Sequence, residues 1–97
     1  MAETYDSSGW RAGAAGWVAN ESLFAAVYAP VTEAIVDAAG FGPQLRALDV
    51  GCGSGTLLQA GAAAGTAMVG VDIAPDMVAA ARRRVPASTV LLGDAQV

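Results

Sequence analysis

Residues Leu48 to Thr56 read Leu-Asp-Val-Gly-Cys-Gly-Ser-Gly-Thr, and this stretch constrains the chain more than any other. An apolar, strand-like run passes directly into three glycines at alternate positions, and helix-competent sequence follows from Thr56. The chain must turn sharply there, through φ > 0 where no Cβ stands in the way, and its backbone can approach a ligand closely. The next helix offers free N–H groups and the positive end of its dipole. A tight strand-to-helix turn can be glycine-rich for its own sake, but the flanking elements and the acids that follow favour a ligand loop.

The rest of the chain supports a strand on either side of that helix. Ala47–Val50, Ala67–Val71 and Thr89–Leu92 are short, apolar and β-branched-rich, as expected of parallel strands buried on both faces. Thr56 to about Ala64 and Pro75 to about Arg84 are helix-competent, the second with proline at its start. Strand ends near Val50, Asp72 and Gly93 fall at an even spacing of roughly 20 residues, as right-handed parallel crossovers produce. Before them, residues 1–16 read as a loose lead-in. A helix is expected from Asn20, which can cap it, with Leu23, Phe24, Val27 and Tyr28 at helical spacing. Pro30 should end that helix and open the next, which runs to Gly40. The expected architecture is a Rossmann-like α/β fold, a βαβαβ three-layer sandwich over residues 46–97, with an N-terminal helical cap over 1–45.

The chain has 97 residues, net charge −4, a single cysteine and no histidine. The acidic balance argues against nucleic-acid binding, which needs clustered Lys and Arg. Cys52 has no disulfide partner, and no zinc-ligand cluster or other metal site is expected. No membrane segment or signal peptide is expected, so the default compartment is the reducing cytoplasm.

A dinucleotide fingerprint, G-x-G-x-x-G/A, would require Gly or Ala at position 56, where Thr56 stands. The pattern is instead G-x-G-x-G preceded by Asp49, and here the sequence resembles the class I S-adenosylmethionine-dependent methyltransferases. Their apolar-acid-apolar-G-x-G-x-G signature is matched from Leu48 to Gly55. Two further markers follow in order, Val69-Gly70-Val71-Asp72-Ile73 and Leu92-Gly93-Asp94-Ala95. Trp17–Asn20 through Pro30–Glu33 is similar to the leading helices of the family's small-molecule enzymes. The resemblance covers nearly the whole chain and identifies it with the N-terminal, cofactor-binding half of such an enzyme.

The resemblance implies S-adenosylmethionine as cofactor and a small molecule as methyl acceptor. It implies that Gly51 and Gly53, with Cys52 between them, pass beneath the methionine part, whose amino group Asp49 holds. Asp72 would accept from the ribose hydroxyls, and Ile73 and Met77 would pack on the adenine and ribose. Asp94 would accept from the adenine amine while the Ala95 amide donates to the ring. Local alternatives stand beside several roles: Asp49 tying the loop's own amides, Asp72 capping the next helix, Ile73 and Met77 as plain core, and Cys52 as filler. Arg82–Arg84 read as a solvated helix end, and Trp10 and Trp17 as packing for the cap or covers for a ligand. No catalytic residue is assigned. The first strand should be left as an apolar edge that recruits a second copy or a partner chain. The competing functions are a non-catalytic nucleotide-binding fragment that needs a partner chain and a nicotinamide-dependent oxidoreductase.

Overall fold

The computed structural model describes residues 8–96. Two helices come first, α1 (Ser8–Ala19) and α2 (Glu21–Ala39). There follow β1 (Arg46–Val50), α3 (Thr56–Ala63), β2 (Ala67–Asp72), α4 (Pro75–Arg84) and β3 (Thr89–Leu92). The strands form one parallel sheet in the order β1-β2-β3, with Asp49 opposite Gly70 and Asp72 opposite Leu92. This is the expected parallel α/β topology.

Two right-handed crossovers that step in the same direction place their helices on the same face. The core lies there: Leu58 of α3 and Val78 and Ala81 of α4 close on Met68 and Val90 of the sheet, with Cys52 at one end. Gly70 makes the approach feasible. A Cβ on it would lie 2.8 Å from Leu58 and 2.9 Å from the Cys52 sulfur. The opposite face is open, with Leu48 63% exposed and Val50 and Leu91 about half exposed. The expected burial on both faces therefore holds for one, because neither crossover helix among the described residues reaches the other.

The N-terminal part departs from expectation in three ways. Of the expected loose lead-in, residues 8–16 belong to the helix Ser8–Ala19, while residues 1–7 lie outside the described residues. Periodicity is weak in this Gly/Ala-rich segment, and its helix is held by packing: Ala14, 1% exposed, sits against Ala74 and Met77. Asn20 does not cap α2; its side-chain Nδ2 donates to the Gly16 carbonyl at 2.8 Å and closes the end of α1. Finally, α2 continues through Pro30 as one helix. Proline there removes the donor for the Ala26 carbonyl, but both residues are exposed and water can replace the missing bond. Gly40, in the left-handed region at φ 60°, ends the helix as expected.

Taken as one element, α2 has 19 residues and an 18-residue window of mean hydropathy 1.3, long and apolar enough by length and composition to cross a membrane. The sequence reading found no such run because it divided the segment at Pro30. In the fold, α2 packs against α3 and α1. Two of the three helix-end arginines are also not simply solvated. Arg82 donates to the Val90 carbonyl from Nε at 3.2 Å and Nη2 at 2.8 Å. Arg84 donates to the Thr56 hydroxyl at 3.1 Å and pairs with Glu21 at 3.7 Å, tying α4 to α3 and α2.

Candidate functional site

The C-terminal ends of the three strands and the first turns of α3 and α4 enclose a cleft of about 480 Å³. This is where open parallel sheets place their ligands. All nine residues expected at a ligand site line it. Asp49, Gly51, Cys52 and Gly53 come from the end of β1 and its loop. Asp72 and Ile73 come from the end of β2, Met77 from α4, and Asp94 and Ala95 from the end of β3.

The loop geometry accounts for its alternating glycines. Gly51, Gly53 and Gly55 all have positive φ, at 73°, 56° and 99°. A Cβ added at Gly51 or Gly53 would meet no protein atom within 4 Å, so both face free space. At Gly55 it would touch Ala81 at 3.4 Å, so this glycine also lets the loop lie close to α4. The Gly51 and Cys52 amides both donate to the Val71 carbonyl, at 2.8 and 3.0 Å, which bends the loop over the end of β2.

Asp72 fastens the arrangement. Its Oδ2 accepts from the Gly53 amide and its Oδ1 from the Ala74 amide, both at 2.9 Å. It braces loop and turn; it does not cap α4, whose cap residue is Ala74. Each carboxylate oxygen keeps a second lone pair for a hydroxyl donor. Asp49 is not the tie for the loop either, since Val71, Asp72 and Cys52 accept from the amides of four of the loop's five residues, Gly51, Cys52, Gly53 and Gly55. Asp94, exposed, accepts from the Gln96 amide at 2.9 Å. Met77 is buried against Ala14 and Ala74 as well as lining the cleft, so core and wall are one role there.

The electrostatics are one-sided. Three carboxylates line the cleft and, among the described lining residues, no arginine does. Burial pushes the Asp49 carboxyl above its ordinary value, and the neighbouring Asp72 charge pushes it further. Burial and the same two acids raise the Cys52 thiol to about 11, which makes it an inert wall and not a nucleophile. A pyrophosphate would meet three like charges and no counter-charge here, whereas a cationic amine beside Asp49 would relieve the repulsion. A polyol can be held by Asp72 and a flat ring by the half-buried Ile73 and the Met77 side chain.

Sequence reasoning weighed Trp10 and Trp17 mainly as packing, yet both line the cleft, and Trp10 is 61% exposed. An exposed tryptophan on a helix laid over a glycine loop is the signal that could have marked them, once residues 8–19 are read as helical. Ser54, Thr56 and Leu57 also line it, from within and just after the motif.

A family model described as the methyltransferase domain matches residues 47–97. An uncharacterised protein of Mycobacterium tuberculosis is 36% identical over 58 residues, which is 60% of this chain and 21% of that one. The chain thus spans about a fifth of the length of the curated relatives it matches. Among solved structures, an S-adenosylmethionine-dependent methyltransferase from Geobacter sulfurreducens, in complex with S-adenosylhomocysteine, superposes with a TM-score of 0.58. It is 30% identical and covers 66% of this chain and 28% of its own. A TehB-like methyltransferase from Corynebacterium glutamicum shares the fold, with a TM-score of 0.63 at 22% identity over 82% of this chain and 46% of its own.

Proposed function

Since the chain belongs to the methyltransferase domain family, of the class I S-adenosylmethionine-dependent group, we propose that its cleft binds S-adenosylmethionine and that the chain forms the cofactor-binding portion of an enzyme methylating a small molecule. The observation that carries this reading is the pairing of an open, positive-φ glycine loop with three carboxylates and no arginine among the described lining residues. The relative crystallised with S-adenosylhomocysteine supports the same ligand class. A nicotinamide dinucleotide is disfavoured by the same charges.

The residues present fit that group. Gly51 and Gly53 leave room for its amino-acid part, Asp49 takes the ammonium and Asp72 the ribose hydroxyls. Ile73 and Met77 flank the nucleoside, and Asp94 with the Ala95 amide meets the edge of the adenine. The cofactor supplies an electrophilic methyl group on a sulfonium. The protein's contribution is to hold donor and acceptor in line and exclude water. A reducing, cytoplasmic setting suits the single buried thiol.

Calorimetry tests the assignment with two ligands. Asp49→Asn should weaken S-adenosylhomocysteine by roughly 1.5–3 kcal/mol, the range for hydrogen bonds to charged groups. The same change should leave 5′-methylthioadenosine, which lacks the amino acid, unaffected. Equal losses for both ligands, or NAD binding as tightly as S-adenosylhomocysteine, would overturn it.

A further inference from the structure

Beside the main cleft lies a second cavity of about 250 Å³ between α2 and the start of α3. The two spaces share Trp17, Ser54 and Thr56 as common wall. Resting on the cofactor reading above, we propose that this annex is the acceptor site and that the acceptor is a planar aromatic molecule of one or two fused rings.

Its aromatic wall is the first ground. The Trp17 ring stacks on Phe24 with centroids 4.2 Å apart and planes 7° apart, and lies 6.1 Å from Tyr28 at 24°. These three rings make a ladder along the α1–α2 hairpin, yet none is fully buried and Tyr28 is 49% exposed. A ladder that served the core alone would be covered; this one gives part of its surface to the annex, where flat rings stack with offset geometry.

Size is the second. An apolar cavity of about 150 Å³ suffices for a benzene ring, so this hollow of about 250 Å³, open to solvent on one side, has room for a single substituted ring or a bicyclic one. The third is the polar margin. Thr56 accepts from Arg84, which leaves the threonine proton free to be donated, and Arg84 in turn pairs with Glu21 on the annex rim. A ring bearing a hydroxyl would meet this donor at the wall shared with the cleft; there its oxygen would form the new O–CH3 bond as the S–CH3 bond breaks, and the hydroxyl proton would leave to water at the open side of the annex.

The test uses the 97-residue chain and 2-naphthol as probe, read by ligand-observed saturation-transfer NMR and calorimetry. Saturable naphthol binding is expected, with cyclohexylmethanol at least 10-fold weaker. Val31→Trp fills the annex from an exposed position. It should remove naphthol binding while S-adenosylhomocysteine affinity stays unchanged; Tyr28→Ser, checked for folding by circular dichroism, serves as the second variant. Naphthol binding unaltered in both variants, or cyclohexylmethanol binding as tightly as naphthol, overturns the proposal. Loss of S-adenosylhomocysteine binding in the unaltered chain overturns the cofactor reading, and the acceptor role with it, whether or not naphthol binds.

Discussion

Asp49 lines the cleft, and its burial there weakens the fold at neutral pH. Its carboxyl is raised above the ordinary value by burial first and by the charge of Asp72 second. The sign of the linkage follows: a raised folded value means the ionised form is disfavoured in the native state. Stability is therefore full below the ordinary carboxyl value of 3.8 and falls as pH rises through the raised one. Asp49→Asn, neutral at every pH, should melt higher than the unaltered chain at pH 7, and the gap should close as pH falls toward 3.8. Thermal denaturation over that pH series decides it; a variant that melts lower at neutral pH contradicts the account. Burial first, and then the same two acids, act on Cys52. With its thiol moved from 9.0 to about 11, it should react with iodoacetamide at pH 8 about a hundredfold more slowly than a free cysteine. The rate should recover on unfolding in urea.

At the scale of elements, the α/β part was legible because its punctuation is local. Gly51, Gly53 and Gly55 demand positive φ, Pro75 opens α4 where its missing N–H costs nothing, and β-branched runs mark the strands. That punctuation puts eight of the nine ligand-site candidates at strand ends and the turns that follow them, with Met77 on α4; their roles were read from the family resemblance. What was not legible depends on tertiary contact. α1 has no strong apolar stripe, and its helical state rests on Ala14 meeting Ala74 and Met77 across more than half the chain; with α1 unseen, the aromatic wall it carries was unseen too. Pro30 misled for the opposite reason, since a local rule was overridden. The helix on both sides of it outweighs one lost bond, and no neighbour crowds the exposed ring. Pro30→Ala should therefore stabilise the chain, by up to about 3 kcal/mol, the helix-interior cost of proline. An unchanged or lowered melting temperature would mean that the proline sets a bend on which α2 packing depends.

For the molecule as a whole, the balance between covered and open surface sets behaviour in solution. The radius of gyration is 13.6 Å, against about 12.5 Å for a compact domain of this length. The excess fits a sheet with one bare face and a long helix whose Leu23, Val27, Val31 and Ile35 stay exposed. β1 sits at the edge of the sheet with its second side unpaired among the described residues. Arg46 is its only charge besides Asp49, and Leu48 at its centre is 63% exposed. Such an edge, apolar and free of proline and lysine, is a template for another strand. We therefore expect the 97-residue chain to self-associate through β1, with the weight-average mass in sedimentation equilibrium rising with concentration. Leu48→Lys should restore the monomer, because a lysine at mid-edge must otherwise be desolvated in the interface. It should do so with little change in melting temperature, since Leu48 loses little burial in the monomer. A chain that stays monomeric across the series overturns this expectation; a Leu48→Lys variant that associates equally would move the contact from the β1 edge to the exposed stripe of α2, which Val27→Lys then tests in the same way.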